Sequence, residues 1–152
     1  MGGNNIPMVQ TVLVGMDDSP LGRSALSFAL DTFPEAAITV VHVAYPEIEM
    51  LPADTNEVYE ASLSALDAVG DETAQTVFDA IREIAGDRNV VVTFLLGEAD
   101  RRLVEYTESG GFDHVVLGTH GRDGISRVLL GSVAEAVVRQ TDVPTTLVSS
   151  SR

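Results

Sequence analysis

Apolar residues in this chain gather into five short runs, separated by longer stretches in which apolar positions recur every three or four residues. Residues 9–16 form the first run, dense enough in Val and Leu to predict a strand buried on both faces. Ser19-Pro20 then starts a helix, with a serine N-cap and proline at the first helical position. Leu21, Ala25, Phe28 and Ala29 follow at helical steps, and the segment ends near Phe33-Pro34. Residues 37–44 predict the second strand. Residues 45–53 hold two prolines and predict a loop. Asp54 and Glu57 offer a capping box for a long helical stretch to about Ala85, which Gly70 interrupts and Gly86-Asp87 closes.

The remaining pattern is as regular. Residues 89–96 predict strand three, 98–109 a helix ended by Gly110-Gly111, and 113–117 strand four. Residues 132–140 predict the last helix, and 145–148, just after Pro144, the fifth strand. Alternating strands and helices call for parallel strands joined by right-handed crossovers, with helices on both faces of the sheet. The expectation is one α/β domain of the doubly wound, Rossmann-like type over residues 8–150, preceded by a disordered lead at 1–7.

Composition narrows the chemistry. Hydrophobic residues make up 45% of the 152 and aromatics only 5%, so the core is aliphatic. The absence of cysteine removes disulfides, thiolate catalysis and cysteine-type zinc sites. Nothing resembles a secretion leader or a membrane span, which leads us to expect a cytoplasmic protein without membrane contacts. Nine arginines, no lysine and 23 acids give a net charge of −14, and that sign disfavours nucleic acid as a partner. Arginine without lysine on a diffusely acidic surface resembles the proteomes of salt-accumulating microbes and suggests a halophilic archaeon as the source, with a merely acidic mesophilic protein as the plainer alternative. Without lysine, a Walker-type P-loop is excluded outright.

One segment carries candidate chemistry. Val115-Val116-Leu117 runs into Gly118-Thr-His-Gly121, and nine residues later comes Gly131-Ser132 at the start of the last helix. Glycine lets backbone N–H groups approach an anion unobstructed, and a helix N-terminus favours negative charge. In doubly wound sheets ligands sit beyond the strand carboxyl ends where strand order reverses. Should strand one pair with strand four, Gly15, Met16, Asp17 and Ser19 face this glycine loop across the crevice. Asp17 would then accept from a ribose diol and the Val43 backbone would meet an adenine edge, while Met16 and Leu117 serve as wall. Plainer roles stand beside these: Asp17 as a neighbour capping the first helix, His42 as a core histidine, His120 as a loop-ordering residue. Arg122 and Arg127 suit either phosphate oxygens or nearby acids, and Asp123 would need a divalent ion beside a triphosphate.

The full spacing Gly118-x-x-Gly121-x9-Gly131-Ser132 resembles the ATP-binding branch of the universal stress protein family (UspA-like). The likeness covers nearly the whole chain, including Val14-Gly-Met-Asp17 with Ser19, Val41-His-Val43, Leu96-Gly-Glu-Ala99 and Asp142-Val-Pro144. It implies a five-stranded sheet ordered 3-2-1-4-5 and ATP, with Mg²⁺ or Mn²⁺, between strands one and four. It places Asp17 on the ribose, the Val43 backbone on the adenine, and Gly118, Gly121, Gly131, Ser132 and the Val133 amide on ribose and phosphates. It also implies a homodimer joined through residues 145–148. Gly15 departs from the proline or alanine of some members and is expected to loosen that wall. No nucleophile–base pair, catalytic residue or resident metal cluster is expected, so the implied function is a stress-response or signalling module with at most slow ATP hydrolysis. Two alternatives remain: an interaction module of the same fold that binds no nucleotide, and an AMP-binding domain like those of electron-transfer flavoproteins.

Overall fold

Side chains along a strand alternate between faces, and the central strand of this sheet is apolar on both. In the computed structural model, which describes residues 8–17, 19–44, 72–119 and 130–149, β1 (Thr11–Gly15) sends Val12 and Val14 into one layer and Leu13 into the other. All three are completely buried. The first layer closes under α1 (Pro20–Thr32) and α2 (Glu72–Ala85), through Ala25, Leu26, Ala29, Val77 and Ile81. The second closes under α3 (Ala99–Ser109) and α4 (Ser132–Gln140), through Leu103, Val104 and Val137. Burial on both faces is why the strands lack the polar alternation of a one-sided sheet.

The sheet is five-stranded and parallel, in the order β3-β2-β1-β4-β5. Its other strands are β2 (Ala37–Ala44), β3 (Val90–Leu96), β4 (His114–Gly118) and β5 (Thr145–Val148). β2, α4 and β5 have the predicted bounds. β1 is shorter than the apolar run because Gln10 and Met16 continue its pairing only by single bonds, Ala37 N–H to the Gln10 carbonyl (2.8 Å) and Met16 N–H to that of Val41 (2.9 Å). β4 begins at His114 because the Asp113 carboxylate is turned onto the Gln10 and Thr11 amides, at 2.9 and 3.1 Å. The predicted lead at 1–7, the loop at 45–53, the capping box at 54–57 and the Gly70 interruption lie outside the described residues.

Helix ends follow local chemistry. The Ser19 hydroxyl accepts from Gly22 N–H (3.0 Å) at the start of α1, with Pro20 behind it, as the sequence predicts. At the other end Arg88 gathers three carbonyls: Leu30 (3.1 Å), Phe33 (2.7 Å) and Ala36 (3.0 Å). A cation there complements the negative end of the α1 dipole and fixes the turn into β2.

Two features predict measurable behaviour. Thr107 on α3 is 1% exposed, and its hydroxyl has no hydrogen-bond partner among the described residues. A buried polar group without a partner is destabilising, so Thr107→Val should stabilise the fold by about 1 kcal/mol. Thermal unfolding should show Tm rising by about 3 °C; a lower Tm would mean the hydroxyl is satisfied in solution.

The His114 ring sits 5.2 Å from that of Phe33, with Nε2 2.7 Å from the Thr146 hydroxyl. Partial burial lowers its pKa below the ordinary 6.5. The unfolded chain therefore takes up this proton first, and the stabilising contribution is complete above about pH 6.5 and lost as pH falls through the folded pKa. Asp113, lowered below 3.8 by the Gln10 and Thr11 amides, acts only in a more acidic window. Denaturant unfolding from pH 7.5 to 5 should show stability declining, and His114→Gln should flatten that slope.

Candidate functional site

β1 and β4 are neighbours, but the helices that follow them pack on opposite faces: α1 over the Val12 side, α4 over the Leu13 side. In such sheets the place where neighbouring strands send their helices to opposite faces, beyond the strand carboxyl ends at Gly15 and Gly118, is where ligands are taken. The expected pairing of strand one with strand four is present, in the register Val12↔His114 to Val14↔Val116.

On the β4 side the backbone is closely organised. Thr119 N–H extends the β4–β5 pairing by donating to the Val148 carbonyl at 2.9 Å. Gly131 N–H donates to the Thr119 carbonyl at 2.7 Å, so the connection leaves and returns at one point. Gly131 is the N-cap of α4, with extended backbone (φ −66°, ψ 161°) and no side chain capping the helix. Glu135 N–H makes the first intrahelical bond, to the Gly131 carbonyl at 2.9 Å. Helix geometry leaves the earlier amides, those of Ser132 and Val133 among them, without intrahelical acceptors. Donors and dipole converge there in a form suited to an anion. Gly118, Gly131, Ser132 and Val133 are thus brought together; Gly121, Arg122 and their loop neighbours His120, Asp123 and Arg127 lie outside the described residues.

On the β1 side, Asp17 follows the strand directly. Its Oδ1 accepts from the Ser19 hydroxyl, which itself accepts from Gly22 N–H. The plainer expectation for Asp17, a role at the start of the first helix, is therefore part of the geometry, and Ser19 is buried (1% exposed) between the carboxylate and the helix. Sequence reading missed Gly22. A Cβ there would stand 2.9 Å from Asp17 Oδ1 and 3.1 Å from the Asp17 carbonyl, so the carboxylate occupies side-chain space. A glycine in the first turn, where alanine makes the better helix, was the available signal.

The crevice floor is aliphatic. Met16 and Leu117 are both buried, consistent with wall rather than polar contact. Gly15 does not leave the expected loose wall: Leu117 Cδ2 lies 2.5 Å from where its Cβ would be, and Leu103 Cδ2 3.2 Å. The freed room is filled by these two leucines. His42 is a satisfied core histidine, Nδ1 donating to the Met16 carbonyl (3.1 Å) and its ring edge-on to Phe94.

Val43 owes its position to strand parity. Val41 bonds toward β1 through Met16 N–H, and Ala44 toward β3 through Gly97 N–H at 2.9 Å. Alternation turns the N–H and C=O of Val43 toward β1, which has already ended at Gly15. Among the described residues no group of three histidine or acidic side chains is placed to hold a metal ion. None of the described helices is long and apolar enough to cross a membrane.

Comparison with known proteins agrees with this architecture. A universal stress protein of Mycobacterium tuberculosis is 29% identical over 139 residues, which is 91% of this chain but 45% of that protein, so the chain spans about half its length. One from Methanocaldococcus jannaschii is 25% identical over 150 residues, covering 95% of this chain and 85% of its own. Among solved structures, another Methanocaldococcus jannaschii universal stress protein superposes with a TM-score of 0.72 at 22% identity, covering 96% of this chain and 99% of its own. A universal stress protein in complex with cAMP gives 0.60 at 21%, covering 93% and 98%. An Arabidopsis thaliana family protein with AMP bound gives 0.56 at 14%, covering 92% and 91%. The family model matches residues 8–149, and the chain belongs to the universal stress protein family.

Proposed function

We propose that this chain is an adenine-nucleotide-binding stress-response or signalling module of the cytoplasm, which takes ATP in the crevice between β1 and β4. The observation that carries the reading is the uncapped first turn of α4, held beside Gly118 by the Gly131–Thr119 bond. The residues present fit such a ligand. The amides of Ser132 and Val133 and the Ser132 hydroxyl suit phosphate oxygens, Asp17 suits a ribose diol, and the outward backbone of Val43 suits an adenine edge. Gly121 and Arg122 would join the phosphate side. ATP would supply a polyanionic tail, carried with Mg²⁺ or Mn²⁺, and the protein's task is to bind and orient it. Two structural relatives, in complex with cAMP and with AMP, support the adenine nucleotide class.

The reading is of a binding module with at most slow hydrolysis. The chain has no lysine to neutralise a γ-phosphate, and one oxygen of Asp17 is engaged with Ser19. We further read the β5 edge, whose four residues are all half-buried, as the contact of a homodimer, since an isologous pairing would cover it.

Main-chain donors can be tested by a substitution that removes one and keeps the helix. Ser132 is the first helical residue of α4, and Gly131 before it already has the extended backbone that precedes proline. Ser132→Pro should leave the circular dichroism spectrum unchanged and weaken ATP binding at least about tenfold beyond Ser132→Ala, which removes the hydroxyl alone, in titration calorimetry. Adenosine affinity should change little. Unaltered ATP affinity would sink the reading, and titrations with AMP and cAMP would show which adenylate is preferred.

Charge gives a second test. At −14 the protein repels a polyanion over long range, and salt screens that repulsion. With magnesium present, raising salt from low values should tighten apparent ATP affinity, opposite to a lysine-based site. Monotonic weakening with salt would argue for cationic side chains as the main contacts.

A further inference from the structure

Hydrogen bonds at the start of α1 run in one direction: Gly22 N–H donates to the Ser19 hydroxyl, and that hydroxyl donates to Asp17 Oδ1. A serine hydroxyl has a single proton, so once its oxygen accepts from Gly22 the proton has one place left to go. The relay ends on a carboxylate, whose remaining lone pairs only accept. A ribose diol, with two donors, is the chemistry that completes such a group. Ser19 is 1% exposed and lies under the carboxylate, where it does not offer itself to a ligand.

Gly22 is the other half of the arrangement. The Asp17 oxygen that Ser19 holds stands 2.9 Å from the position of a Gly22 Cβ, and the Ser19 oxygen 3.2 Å from it. Any side chain at 22 would force the carboxylate to turn away, since the Asp17 carbonyl, 3.1 Å off, belongs to the backbone and cannot yield as easily. Helix propensity alone favours alanine here.

We infer that Ser19 and Gly22 are positioning residues for ribose recognition: together they preset the Asp17 carboxylate as a diol acceptor, and neither touches the nucleotide. The inference rests on the nucleotide reading above and refines it, moving Ser19 from a contact to a support. A carboxylate held in one orientation loses less freedom on binding than a freely rotating one, which is where the affinity gain arises.

The test compares ATP with 2′-deoxy-ATP and 3′-deoxy-ATP by calorimetry on the full chain. The wild type should prefer ATP over at least one deoxy form by about tenfold, the size of one hydrogen bond to a charged group. Asp17→Ala should abolish that preference. Ser19→Ala and Gly22→Ala should each bring it close to the Asp17→Ala level, while affinity for the deoxy form that the wild type disfavours stays within about twofold of wild type. Ser19→Ala removes the capping hydroxyl, whereas Gly22→Ala retains the hydroxyl and raises helix propensity, so a shared loss of preference does not follow from loosening α1.

Retention of the wild-type preference in either variant, or equal weakening of all three ligands, would overturn the positioning role. A wild type that binds all three equally would remove the Asp17–ribose contact and this inference, leaving the nucleotide reading in place. A wild type that binds none of them would end the nucleotide reading itself.

Discussion

Parallel pairing of β1 with β4 is the constraint on which both core and crevice depend. β1 lies at the centre of the sheet, hydrogen-bonded on both edges, and its side chains are shared between two helical layers. Any one-residue slip would exchange Val12 and Val14 with Leu13 and put each into a layer packed for the other. The same pairing sets the carboxyl ends of β1 and β4 side by side, Gly15 next to Leu117, while the helices that follow pack on opposite faces. A crevice at that point is therefore a consequence of topology, obtained without loss of core packing.

Around this join the backbone is held at several points. The β4–α4 connection begins and ends in main-chain bonds at Thr119 and Gly131, β1 is tied to the start of β4 by the Asp113 carboxylate, and α1 is tied to the turn before β2 by Arg88. The first-turn amides of α4 take their direction from Val137, which packs in the layer shared with the sheet and α3. Peptide amides carry no titratable charge, so a helix terminus of this kind suits an anion without a cluster of exposed cations, even on a strongly acidic chain.

The crevice also shows how one missing side chain can have two meanings. At Gly15 the vacant space is taken by Leu117 and Leu103, so glycine tightens hydrophobic packing at the end of β1. At Gly22 it is taken by the Asp17 carboxylate, so glycine makes room for a charged group at the start of α1. The residue type is the same, and the neighbour that moves in decides its role.

Much of this was legible in the sequence. Apolar runs of strand length, alternating with helical spacing, gave the five strands and the bounds of β2, α4 and β5, because burial on both faces leaves a dense aliphatic signature. Ser19-Pro20 announced α1, because capping is local chemistry. The glycine spacing from 118 to 131 marked the candidate phosphate side for the same reason: a backbone approach needs glycine wherever it occurs. Tertiary structure alone decided what depends on residues distant in sequence. The Asp113 carboxylate meets amides more than a hundred positions away, Arg88 meets carbonyls more than fifty away, and Leu117 fills the room at Gly15. No periodicity encodes such meetings, since they arise from how two layers close on one sheet. Sequence thus determined the elements and the chemistry available at their ends; the fold decided which ends face each other and which atoms are already engaged.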